Sequence, residues 1–142
     1  MKIKSVLSEI NNFDGNTLVT VCYFGGAFSL NYYKKIVGIK QIDIMSDKLP
    51  GHKNIKELTK AICLVASDLD NNIDKVLCVK DISVTLDQFD PELELYCVDD
   101  NIDGIHYSFV SEICCIIDAN EDPDLKEFRE SNNKCNILEF VV

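Results

Sequence analysis

The sequence predicts an α+β domain with a mostly antiparallel sheet, one long amphipathic helix and one or two short helices. Three observations lead there. About seven segments are rich in β-branched and aromatic residues, with no regular βαβ alternation between them. One run, residues 54–70, repeats apolar residues at spacings of 3 and 4. A chain of 142 residues, 46% hydrophobic with six Gly and three Pro, suits a single domain, 1–142, large enough to bury its own core.

Each element follows from local pattern. Ile3, Val6, Leu7 and Ile10 keep the spacing of a short amphipathic helix, and Asp14-Gly15-Asn16 breaks the chain. Leu18–Phe24 is a strand, and Gly25-Gly26 is a hairpin signal leading into a second strand, Phe28–Lys34. Residues 36–45 alternate, with Ile42 and Ile44 about Asp43, and form a third. After Pro50-Gly51, Asn54 and Glu57 resemble a capping box. Ile55, Leu58, Ile62, Val65 and Leu69 then draw one apolar stripe, a helix over about 54–70 that Asp70-Asn71-Asn72 ends. Lys75–Leu86 is β-rich, and Asp90-Pro91 is a turn. Glu92–Cys97 alternates, placing Glu92, Glu94 and Tyr96 on one face and Leu93, Leu95 and Cys97 on the other. Asp103-Gly104 marks a reversal into the apolar segment Ile105–Ile117. Asp124–Glu130 suits a short helix and Ile137–Val142 a closing strand.

The formal net charge is −10, unevenly placed. Residues 1–66 hold nine Lys against five acids, and residues 67–142 hold five basic groups against nineteen acids. Between Lys80 and Lys126 there is no Lys or Arg, while thirteen acids run from Asp81 to Asp124. They alternate with apolar residues, so they form the wet face of folded elements. Solubility alone explains many acidic surfaces. A stretch this one-sided implies a face that draws in a basic protein by its long-range field. It argues against nucleic acid, which needs clustered Lys and Arg, and Arg129 is the single arginine.

The longest apolar stretches are about five residues, far short of the roughly 18 of a membrane helix. Met1-Lys2-Ile3-Lys4 begins like a signal peptide, but Glu9 and Asn11-Asn12 interrupt any apolar core. The expected compartment is the cytoplasm. Seven cysteines, an odd number, fit free thiols in a reducing compartment, and none form the C-x₂₋₄-C pair of a zinc site.

Asp99-Asp100-Asn101-Ile102-Asp103-Gly104 matches the first six positions of an EF-hand loop, but Val110 stands where the bidentate Glu belongs. A hairpin turn accounts for the same residues. Cys114 or Cys115 with His106 and Asp103 supplies the residue types of a Cys-His-Asp set, with no local signature around them. Gly-x-Ser-x-Gly, Walker A and Gly-x-Gly-x-x-Gly are absent. Tyr23, Phe24, Phe28, Tyr32 and Tyr33 beside Lys34-Lys35 could stack bases, but cross-strand packing needs the same residues. The sequence therefore assigns no catalytic residue, metal ligand or cofactor.

In size, acidity, lack of active-site motifs and the Lys-free stretch from Asp81 to Asp124, the chain resembles the immunity proteins that bacteria encode beside secreted or contact-dependent toxins. The resemblance implies a non-enzymatic inhibitor that occludes the active site of a basic, nuclease-like toxin. The expected partner-binding patch is Asp87, Glu92, Glu94, Asp99, Asp100 and Asp103, with Tyr96 as its aromatic anchor. Other classes consistent with the sequence are a nucleic-acid-mimicking inhibitor, a non-catalytic subunit of a larger assembly, and a small enzyme or calcium module.

Overall fold

A computed structural model describes residues 1–23, 32–52, 56–70, 75–101, 104–116, 123–132 and 137–142. In chain order the elements are α1 (Ile3–Ile10), β1 (Leu18–Tyr23), β2 (Tyr32–Met45), a 3-10 turn (Ser46–Lys48), β3 (Leu58–Asp68), α2 (Val79–Leu86), β4 (Leu95–Asn101), β5 (Gly104–Phe109), β6 (Glu112–Ile116), α3 (Pro123–Ser131) and β7 (Ile137–Val141). This corrects the expected fold. There is no long amphipathic helix among the described residues, only three short ones, and the seven-stranded sheet is mixed.

The expected helix over 54–70 is strand β3. It lies between β2 and β4, and Ala61, Ile62, Cys63 and Leu64 are all buried, on alternating faces. A strand covered on both sides is apolar throughout and shows no alternation, so a spacing of 3 and 4 arises in it by chance. The Asn54 cap lies outside the described residues, as does the Gly25-Gly26 hairpin. Lys75–Leu86, expected as a strand, contains α2. Val79, Ile82 and Leu86 are buried there while Val84 is 66% exposed. A reciprocal cap starts the helix: the Cys78 side chain accepts from the Asp81 backbone N–H, and Asp81 Oδ2 accepts from Cys78 N–H at 3.2 Å and from the Cys78 thiol at 3.1 Å. The two strands expected across 28–45 are one strand from Tyr32, irregular between Ile36 and Gly38.

The sheet order is β5-β4-β3-β2-β1-β7-β6, parallel at β3–β4 and β1–β7 and antiparallel elsewhere. The outermost strands are consecutive in the chain, with only Val110 and Ser111 between them. Flat, the sheet would hold them about 29 Å apart, whereas Phe109 and Glu112 can be separated by at most about 11 Å. The sheet therefore curls until its edges meet. Residues 104–116 run as one bent path, antiparallel first to β4 and then to β7. Hydrogen bonds from Val110 N–H to Leu95 O (3.5 Å) and Ser111 N–H to Val141 O (2.8 Å) carry the pairing through the bend.

Curling gives the faces different cores. On the inner face a single cluster joins Val19, Val21, Ile36, Ile62, Leu64, Leu95, Leu138 and Phe140 to Ile3, Val6 and Ile10 of α1 and Val79, Ile82 and Leu86 of α2. These helices close the end where β1 and β4 begin, through Ile3 N–H to Leu93 O (2.9 Å) and Val79 N–H to Thr17 O (3.0 Å). The outer face carries two separate clusters. Leu125 and Phe128 of α3 pack on Leu18 and Ile137, while Tyr96, Val98, Ala61, Cys63, Ile44 and Leu49 form the other. No described helix is long and apolar enough to cross a membrane.

Candidate functional site

The register makes β1, β3 and β4 mutually parallel, so their C-terminal ends gather at the end of the sheet away from α1 and α2. Ligand sites in sheets with parallel strands favour this end. Here the inner face turns polar. Lys34 Nζ donates to Asp99 Oδ1 at 2.8 Å and lies 3.1 Å from Asp68 Oδ1. Asp99 stands beside Ala66 on β3, so the lysine passes over a small residue to reach a carboxylate two strands away. The Lys34 and Asp99 side chains are only 11% and 4% exposed. Burial is the largest influence on Lys34 and acts to discharge it, but hydrogen bonds and charge from Asp99 and Asp68 outweigh burial and raise its pKa. The ammonium is a fixed cation and not a nucleophile.

Beside this pair the Tyr23 hydroxyl meets Cys97 Sγ at 3.4 Å, and the Tyr32 ring stacks on Tyr23 at 4.9 Å. Burial pushes the Cys97 thiol up to about 12, against a smaller opposing effect of the Tyr23 hydrogen bond. Burial likewise raises Tyr23 far above the ordinary phenol range. Both stay protonated, so the group is a neutral scaffold and not activated chemistry.

Tyr32 and Asp68 also line a cleft of about 680 Å³ between the strand ends and α3. Among the described residues its walls carry four carboxylates, Asp68, Asp70, Asp124 and Glu127, against the ammonium of Lys35. Local structure explains α3's contribution. Leu125 and Phe128, three apart, pack inward, and Asp124 and Glu127, also three apart, share a second face toward the cleft. Asp124 also sits in the first turn, where the helix dipole favours an acid. Tyr32, Tyr33 and Phe128 add aromatic surface. Carboxylates and ring faces together suit a cationic group, and the volume is that of a ligand pocket.

The described members of the expected patch do not form one open acidic surface. Asp87 is exposed at the end of α2. Glu92 is exposed but accepts from Lys2 Nζ at 2.8 Å and Lys4 Nζ at 2.6 Å, hydrogen bonds that hold its carboxyl down at about 2. Glu94 lies 3.0 Å from the Met1 ammonium, and Asp99 is buried against Lys34. Tyr96 is 4% exposed and stacks on Phe109 at 5.3 Å in the outer core, which excludes it as a surface anchor. The Asp100 and Asp103 side chains lie outside the described residues.

Of the Cys-His-Asp set, the Asp103 and Cys115 side chains lie outside the described residues, and the two described members stand on opposite faces. His106 pairs with Asp99 on the inner face, whereas Cys114 pairs with Glu139 on the outer face. The EF-hand match spans two strands, with Asp99 turned to Lys34. Among the described residues no three His, Cys, Asp or Glu side chains are grouped to hold a metal ion. Cys22, Cys63, Cys78, Cys97 and Cys114 are in no disulfide.

The cleft has no signature in the local sequence. Asp68 and Asp70 fall at the end of the helix expected over 54–70, where the structure has strand β3. Only the acids of α3 left a usable signal, since a short helix was expected over 124–130. Comparison with family models, with curated proteins and with solved structures finds no match to this chain.

Proposed function

We propose that the chain is a non-enzymatic acidic binding protein that captures a basic protein and occludes its functional site, as an immunity protein does to a toxin. One observation supports this above the rest: a cleft of about 680 Å³ whose described lining holds four carboxylates, one ammonium and two tyrosines, on a molecule of net charge −10. The whole-molecule field speeds encounter with a positive surface. Within the cleft a Lys or Arg of the partner gains charge pairing and an aromatic face, with Tyr32 at the rim 49% exposed. On a nuclease those same basic groups hold phosphate, so their capture removes the substrate site. The binding surface thereby moves from the 87–103 segment to the cleft.

The test is affinity capture from lysate of the source cells with the wild type and an Asp70→Lys/Glu127→Lys variant side by side, at low and high salt. A basic protein held by the wild type, released by salt and lost from the variant is the expected result. Equal retention by the variant, whose fold is checked by circular dichroism, would overturn the assignment.

A further inference from the structure

The nine lysines of residues 1–66 divide by place. Lys2 and Lys4 are held by Glu92, Lys34 by Asp99, and Lys35 is buried in the cleft wall. The other five, Lys40, Lys48, Lys53, Lys56 and Lys60, fall within residues 40–60, against Asp43, Asp47 and Glu57. That stretch is net positive on a molecule of net charge −10. It is also where the sheet outruns its neighbours. β1 pairs with β2 only along Tyr32–Lys35, and β4 first meets β3 at Ile62. Among the described residues, 42–45 and 58–61 therefore continue as a two-stranded arm with no strand on either side. One face of the arm packs Ile44 and Ala61 into the outer core. The other presents Asp43, Met45, Leu58 and Lys60, all exposed. At its tip Leu58, 73% exposed, stands opposite Met45. Lys48 and Lys56, close to that pair in sequence, are exposed as well.

We infer that the arm of one chain docks in the acidic cleft of a second copy. Leu58 and Met45 meet the Tyr32 ring, and Lys48 and Lys56 meet Asp70 and Glu127. An apolar tip among ammonium groups complements a cleft where aromatic rings stand among carboxylates, and each covers apolar surface that the other leaves in water. Leu58 and Asp68 are about 33 Å apart along β3, so no chain fills its own cleft. The contact is head-to-tail, and it closes into a ring or extends into a chain. The inference rests on the cleft being a surface for basic groups, and it makes self-association and capture of a partner exclude each other there.

Light scattering after gel filtration, over a series of concentrations, tests it. At low ionic strength the mass of the wild type is expected to rise at least about twofold with concentration, and molar salt returns it to monomer. Two variants separate the halves of the contact. Asp70→Lys/Glu127→Lys spoils the cleft, and Lys56→Gln/Leu58→Gln spoils the arm. Each alone stays monomeric. Mixed in equal amounts they pair, because the mixture offers an intact arm on one chain and an intact cleft on the other. That pairing also guards against a result due to misfolding. A wild type that is monomeric at every concentration overturns the inference, and the capture experiment decides separately whether a basic protein docks in the cleft. Association retained by the arm variant alone, or a mixture that stays monomeric, overturns it equally.

Discussion

Lys34 shows what a buried charge costs and what holds it. Removing one member of such a pair strands the other in a poorly solvated site, at about 3–5 kcal/mol. Lys34→Met is expected to destabilise by that order in urea unfolding, and the double variant Lys34→Met/Asp99→Asn to recover a large part of the loss. Equal losses in the single and double variants would show that Asp99 does not depend on Lys34. The exposed Glu92 behaves differently. Its folded carboxyl titrates at about 2, below the ordinary 4.5, so the bonus from Lys2 and Lys4 is present above pH 4.5. That bonus disappears as the pH falls through the folded value. Carbon-detected NMR should find this low pKa in dilute buffer and see it climb in molar salt. These pairs also explain why the site was illegible at this scale. Lys34 and Asp99 are 65 positions apart, and Lys2 and Glu92 are 90 apart. A local reading counts the acids correctly but cannot see that distant lysines have already claimed them.

Elements were legible where one face is wet. α1 shows its Ile3, Val6, Ile10 stripe because the opposite side is polar, and the observed helix, Ile3–Ile10, spans that stripe. β3 has no wet face along its centre, so period and type separate only once its neighbours are known. α2 misled in the other direction: Val79, Ile82, Val84 and Thr85 favour a strand by composition. What decides for a helix is the pairing of Cys78 with Asp81 at the start and the burial of positions 79, 82 and 86. The usual capping pattern has Ser or Thr, and a thiol in that place is easily overlooked. Asp81→Ala should therefore cost about 1 kcal/mol, measured by thermal unfolding. No change in midpoint would mean that tertiary burial alone specifies α2. The cap also explains the depressed Asp81 carboxyl, through its hydrogen bond from Cys78 first of all.

For the whole molecule, the negative charge was evident from the sequence and its address was not. A net charge survives any arrangement, but a cleft depends on which strand ends meet, and those ends are set by a curl that no single segment encodes. The curl follows from a topological fact: the two outer strands are joined by two residues.

That closure also has a direction in time. β7 is the last of the seven described strands, yet it sits between β1 and β6, holding the former by parallel and the latter by antiparallel pairing. As the polypeptide leaves the ribosome, β1 through β5 can form their pairings, but β6, which pairs with β7, has no partner strand and the ring keeps a gap until residues 137–141 arrive. Until then the nascent chain presents two open edges and the apolar seats of Leu138 and Phe140. A version ending after Asn132 should lose cooperative unfolding and associate, as followed by light scattering. A sharp transition in it would show that the open ring is stable by itself. The seventh strand is a clasp, and the six before it stay unfastened until it is made.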